Sequence, residues 1–221
     1  MNESNSIFNR FEKVNKDEVM NSTTHTENNY VVLITSISES TNESPKEVHC
    51  GNGVLVDNFL ITAGHVAKTG IDHKFYFNNK VFKLNDLEEV FISTAKENNE
   101  YDLAIYRIPG INSPLTLSPV MPEVNSILTS KSFDYGKGNI TCDATVIDID
   151  GDCGLYYGVE TSLSLKSGCS GSPLLFENQV YGIIVTGNNN GLDEKCSPEF
   201  HLNTCFVLSS YAMTEILNQF K

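Results

Sequence analysis

From Tyr30 onward the chain is a succession of short runs rich in β-branched and aromatic residues, each closed within a few residues by Asn, Asp, Gly or Pro. Runs of this length suit a strand and are too short for an ordinary helix. "YVVLITSI" reads as a buried strand. "GNGVLVDNFLITAGHV" reads as a hairpin, with strands at Gly53 to Val56 and Phe59 to Thr62 around a turn at Asp57-Asn58. "KFYFNN", "KVFKLN", "LEEVFIST" and "DLAIYRI" follow at short, regular spacing. A stretch with three prolines, "NSPLTLSPVMPEVNS", interrupts the series. A second series then runs through "SILTSKSF", "CDATVIDI", "GLYYGVETS", "GSPLLFE", "QVYGIIVTG" and "TCFVLSS". The chain closes with "SSYAMTEILNQF", where Ser209 or Ser210 can cap a helix whose apolar face is Met213, Ile216 and Leu217.

This pattern predicts an all-β protein: two antiparallel barrels of about six strands each and a C-terminal helix. The expected divisions are an N-terminal extension at 1–28, a first barrel at 29–113, a linker at 114–126, a second barrel at 127–208 and the helix at 209–221. The extension is polar, and "SIFNRFEKVNKDEVM" within it can form an amphipathic helix with Ile7, Phe8, Phe11 and Val14 on one face. No internal repeat is visible.

The 221 residues carry a net charge of −13, which argues against nucleic acid or an anionic membrane as partner. The N-terminus lacks the basic start and apolar run of a secretory signal. No apolar run approaches the ~20 residues that span a bilayer. A soluble, cytoplasmic protein is therefore expected, and its six cysteines are expected to be free thiols. With a turn at "DIDGD", Cys142 should lie opposite about residue 159 and so not pair with Cys153. Cys196, His201 and Cys205, with Cys50 or His49, are close enough in sequence to suggest a metal site, but their spacing fits no standard zinc pattern. No metal and no cofactor are expected.

Of the five histidines, His25 and His73 lie in polar stretches and His49 and His201 in loop-like ones. His65 differs, because the tight "AG" step after "LIT" presents its ring at a strand end. Asp102 heads an apolar strand, where a carboxylate needs a partner such as an imidazole N–H. In "SGCSGSPLL", Cys169 and Ser170 sit side by side between Gly168 and Gly171, and either side chain can act as a nucleophile. The flanking glycines allow a sharp turn and two backbone N–H groups converging on an oxyanion.

In the order His, Asp, Ser, the motifs "LITAGHV", "DLAIYRI" and "GCSGSPLL" resemble those of the chymotrypsin-like (trypsin-fold) serine peptidases. The resemblance covers about residues 29 to 218 and is nearest the compact intracellular bacterial and viral branch. It implies a double-barrel serine endopeptidase with the triad His65, Asp102 and Ser170, and an oxyanion hole from the N–H groups of Gly168 and Ser170. The family's nucleophile is followed directly by glycine, which selects Ser170. A cysteine nucleophile at 169 would be followed by Gly-Gly rather than Ser-Gly. Ser172 reads as small-residue packing.

The resemblance also implies a primary pocket based at Ser164 and Leu165 and a substrate-pairing strand at Val185, Thr186 and Gly187. No acid stands at 164, and Ile184 replaces the histidine of Glu- and Gln-specific relatives, so a neutral or apolar side chain is expected before the scissile bond. The insertion "NNNGLDEKCSPEFHLN" is expected to edge that pocket. Cys169 stands where trypsins carry the aspartate that pairs with a newly cut N-terminus, so that activation route is not expected. The site either folds active or is ordered by a protein activator or by the N-terminal extension. The partners expected are a protein or peptide substrate and such an activator. The competing reading is a latent or inactive trypsin-fold binding module.

Overall fold

Val, Ile, Leu, Phe and Tyr fill the two sheets because their side chains pack well on a pleated surface. The computed structural model describes residues 30–38, 46–78, 80–94, 101–134, 138–149, 155–163, 165, 168–187 and 204–220. The first half contributes β1 (Val31–Ser38), β2 (Lys46–Val56), β3 (Phe59–Thr62), β4 (Ile71–Phe77), β5 (Lys80–Lys83), β6 (Glu88–Ser93) and β7 (Leu103–Arg107). Their antiparallel order is β5-β4-β1-β2-β3-β7-β6, seven strands curled into a half-barrel whose end strands do not pair among the described residues. A single helical turn, α1 (Gly64–Ala67), follows β3.

The second half contributes β8 (Thr116–Leu117), β9 (Ile127–Asp134), β10 (Gly138–Ile149), β11 (Tyr156–Thr161), β12 (Pro173–Phe176), β13 (Gln179–Gly187) and β14 (Thr204–Ser209). Six of these close into a ring, because β12 pairs with both β9 and β13. The two-residue β8, within the proline-rich connection, adds a short parallel pairing to β13. The all-β double barrel with its C-terminal helix is thus the observed architecture.

The helix, α2 (Ser210–Leu217), starts where the Ser209 hydroxyl accepts the Ala212 N–H at 3.3 Å. Its Ala212, Met213, Ile216 and Leu217 side chains are buried, the i, i+3/i+4 stripe of one helix face. They join an apolar cluster that runs from Val54, Leu60 and Ile105 of the first sheet to Leu175, Val180, Ile183 and Leu208 of the second. A second cluster fills the closed barrel with Cys142, Val146, Tyr157, Val159, Cys169, Leu174, Cys205 and Val207. Burying each large side chain contributes about 1.5–3 kcal/mol, so the shared cluster fixes the two sheets against one another. Among the described residues, no helix is long and apolar enough to cross a membrane.

Three local readings change. β2 begins at Lys46 rather than Gly53, so His49 is a buried strand residue and not in a loop. His73 is likewise buried, on β4. Both strands look polar in sequence because their polar groups are bonded inside the fold. The β10/β11 hairpin is centred further along than "DIDGD" suggests: Val159 lies opposite Val146, and Cys142 faces Ser130 on β9. Cys50, Cys142, Cys169 and Cys205 are buried free thiols. Cys153, Cys196, His25, His201, the N-terminal extension and the 188–203 insertion lie outside the described residues.

Candidate active site

β3 and β7 run antiparallel with Thr62 opposite Ala104, so the residues just past the end of β3 meet those just before β7. That register brings His65 to Asp102. The carboxylate takes both available donors: the His65 backbone N–H at 2.8 Å on Oδ1 and the ring Nδ1 at 2.7 Å on Oδ2. An ionised carboxylate only accepts, so Nδ1 carries a proton and, in the neutral ring, the lone pair lies on Nε2. The Asp102 side chain is 14% exposed and that of His65 is 43% exposed, which leaves the ring edge facing solvent. The approach depends on Gly64, because a Cβ there would lie 1.8 Å from the Ser93 carbonyl oxygen. The Thr69 hydroxyl donates to the His65 carbonyl at 2.6 Å.

Ser170 lies on the turn between β11 and β12. Gly168 has φ +101° and Gly171 φ +81°, and the Ser172 N–H closes the turn on the Cys169 carbonyl at 3.1 Å. β13 holds one side of the turn: Gly171 N–H donates to the Ile184 carbonyl at 2.6 Å and Ile184 N–H to the Ser172 carbonyl at 2.9 Å. The alternating turn separates the two candidate nucleophiles. Cys169 points into the closed barrel at 3% exposure, whereas Ser170 is partly exposed. A buried thiol in apolar surroundings is inert, so accessibility favours Ser170, the residue the family motif selects. Ser172 is fully buried, and its hydroxyl has no partner among the described residues.

Among the described residues, no hydrogen bond joins the Ser170 hydroxyl to the His65 ring. No described acceptor takes the Gly168 or Ser170 N–H either. Such catalytic bonds are often long before substrate binds. Leu165 and Val185 are buried. Thr186 and Gly187 continue β13 opposite Phe206 and Cys205, beyond the point where its pairing with β12 ends at Pro173. Ser164 lies outside the described residues. Cys205 is inside the closed barrel, where burial pushes its thiol up to about 12. No metal-ligating cluster is present among the described residues.

Three side chains at the site carry no motif of their own. Asn52, fully buried on β2, donates from Nδ2 to the Gly168 carbonyl at 2.7 Å and to the Phe133 carbonyl at 3.2 Å. It also accepts the Phe133 N–H on Oδ1 at 2.8 Å. His49 donates Nε2–H to the Gly51 carbonyl at 2.9 Å, and burial lowers its pKa to about 4, so the ring is neutral. The other edge of that ring lies against Gly168, where a Cβ would meet Nδ1 and Cε1 at 2.9 Å. Tyr156, from the second barrel, accepts the Asp102 N–H at 3.2 Å. Asparagine in a Gly-rich strand and tyrosine in a strand are common enough that sequence gave no reason to single them out. A separate cavity of about 740 Å³ lies between the sheets, lined by Tyr30, Val54, Leu115, Lys131, Leu175 and Glu177, and holds none of the candidate catalytic groups.

No protein-family model matches the chain, and no curated protein matches it in sequence. Solved structures do match in shape. The Rv3671c protease from M. tuberculosis, in its active form, superposes with a TM-score of 0.64 at 20% identity, over 90% of this chain and 82% of that one. The inactive form of that protease gives 0.60 at 19% identity, over 91% of each chain. The serine endoprotease from Yersinia pestis gives 0.62 at 15% identity, over 94% of this chain and 67% of that one. The chain therefore has the trypsin-like double-barrel fold of these proteases. Active and inactive forms match about equally well, so shape fixes the fold and the chemistry has to be argued from the site.

Proposed function

We propose that the protein is a serine endopeptidase that acts through an acyl-enzyme, with Ser170 as nucleophile, His65 as general base and acid, and Asp102 orienting the ring. The observation that carries this reading is the double contact of Asp102 with the His65 backbone and ring, which holds a proton on Nδ1 and so makes Nε2 the acceptor of the neutral, half-exposed ring. In the proposed reaction, Ser170 Oγ attacks the peptide carbonyl carbon as Nε2 takes its proton. The oxyanion is held by the N–H groups of Gly168 and Ser170. Collapse breaks the C–N bond, and the imidazolium returns its proton to the leaving amine. Water then repeats the sequence on the ester.

Substrate backbone adds as a strand along Val185, Thr186 and Gly187, the part of β13 that extends past β12. Leu165, with Ser164, favours a neutral or apolar side chain before the scissile bond. The substrate is a restricted set of proteins in a reducing compartment, a setting that suits the buried free thiols. The site needs neither metal nor cofactor.

A neighbour of the same fold is solved in an inactive form, which supports a second reading, a latent enzyme completed by a protein activator. A fluorophosphonate probe tests both. Stoichiometric labelling of the isolated chain, lost in Ser170→Ala, supports the active enzyme. Labelling that requires added partner supports the latent one, and no labelling under either condition leaves only a binding module.

A further inference from the structure

We propose that Asn52 is the positioning residue of the oxyanion hole, a strut from the acid–base half of the site that sets the nucleophile turn. The proposal rests on the peptidase reading. Asn52 is fully buried, and each of its polar atoms is engaged. Its backbone N–H donates to the Ser170 carbonyl at 2.7 Å, and Nδ2 donates to the Gly168 carbonyl at 2.7 Å. Those carbonyls belong to the peptide groups on either side of the Cys169–Ser170 peptide, whose N–H is the second oxyanion donor. Pinning both neighbours fixes the plane between them.

The remaining bonds hold the strut itself. Phe133 on β9 both donates to and accepts from the Asn52 amide, so the side chain pairs with that backbone as a neighbouring strand would. The Phe133 N–H requires an acceptor, which fixes the amide orientation and leaves Nδ2 for Gly168. The Asn52 carbonyl accepts the Thr62 hydroxyl at 2.6 Å, three residues before the catalytic histidine. One residue thus ties β2, β3, β9 and the turn together. An aliphatic side chain at this place would leave the part-buried Gly168 carbonyl without its Asn52 donor.

Asn52→Asp keeps the shape and removes the donor. Asn52→Ala removes the side chain. With kcat expressed per site titrated by fluorophosphonate, both variants should lose about 10- to 100-fold in kcat with little change in KM, up to the lower bound for losing one oxyanion donor outright. The Asp variant should recover relative to wild type as pH falls from 8 toward 5.5, because a protonated carboxyl regains an O–H for Gly168. This range stays above the one in which His49, against the same glycine, titrates. Ile105→Val, a core change remote from the turn, should lower the denaturation midpoint and leave kcat unchanged.

Amide hydrogen exchange at Gly171 should quicken in both Asn52 variants while exchange in β10 stays at wild-type rates. Asn52 variants with kcat within two-fold of wild type and an unchanged Gly171 amide would overturn the proposal. If the wild type proves inert to the probe both alone and with added partner, the peptidase reading fails, and the exchange measurement alone decides whether Asn52 sets the turn.

Discussion

Gly171 and Gly110 have nearly the same backbone, φ +81° and +75°, and opposite surroundings. A Cβ on Gly110 would meet nothing within 4 Å. Gly110→Ala therefore carries only the left-handed penalty of about 1–2 kcal/mol. A Cβ on Gly171 would lie 1.9 Å from the Asn52 carbonyl oxygen and 2.5 Å from the Thr62 hydroxyl, with the Asn52 carbonyl carbon at 2.8 Å. These are backbone atoms and a bonded hydroxyl of two paired strands, so the turn must move by about 1 Å or more. A displacement of that size costs ~10²-fold in rate, and the total destabilisation should exceed about 4 kcal/mol. The chain has no tryptophan and nine tyrosines, so urea denaturation can be followed by tyrosine fluorescence. At about 2 kcal/mol per molar urea, Gly110→Ala should shift the midpoint by ~0.5–1 M and Gly171→Ala by ~2 M or more. Gly110→Ala should also label with fluorophosphonate at the wild-type rate while Gly171→Ala should not. Equal midpoint shifts for the two variants would refute the claimed contact between the turn and β2.

Burial lowers the His49 pKa from its ordinary 6.5 to about 4. Below pH 6.5 the unfolded chain binds a proton that the folded chain refuses, so stability should fall as pH drops through this range. The loss should reach about 3 kcal/mol near pH 4. His73, lowered mainly by its own burial, adds in the same direction. The slope of denaturation free energy between pH 5 and 7 should therefore shrink in His49→Gln without vanishing, and an unchanged slope would contradict the assignment. Tyr156→Phe removes one neutral bond to the Asp102 N–H, worth about 1 kcal/mol, and should lower kcat by roughly five-fold at constant KM. No change in kcat would remove Tyr156 from the site.

Strand-length runs and turn signals were enough to read two all-β halves and the capped final helix, because β propensity and capping are local. The histidine and aspartate motifs were legible for a related reason: "LIT" and "LAI" become paired strands, and pairing carries the residues at their ends together. The open ends of the first sheet and the true extent of β2 were not legible. "KEVHCGN" looks like a polar loop until its partners β1, β9 and the nucleophile turn are in place. Asn52 was missed on the same account: its hydrogen bonds span 81 residues to Phe133 and 116 to Gly168, distances over which a single sequence carries no signal. Cys169 and Ser170 could be told apart by motif, but the physical difference, one side chain in the barrel and the other at the surface, belongs to the folded turn.

The central claim is that imidazole, carboxylate and hydroxyl act together beside two backbone amides. A crystal structure of the protein with a peptidyl boronic acid tests it most directly. The account predicts boron bonded to Ser170 Oγ, one boronate oxygen within about 3.2 Å of the Gly168 and Ser170 nitrogens, and His65 Nε2 within the same reach of the adduct. Boron on Cys169, or on no residue while the His65 ring points away from Ser170, would contradict it.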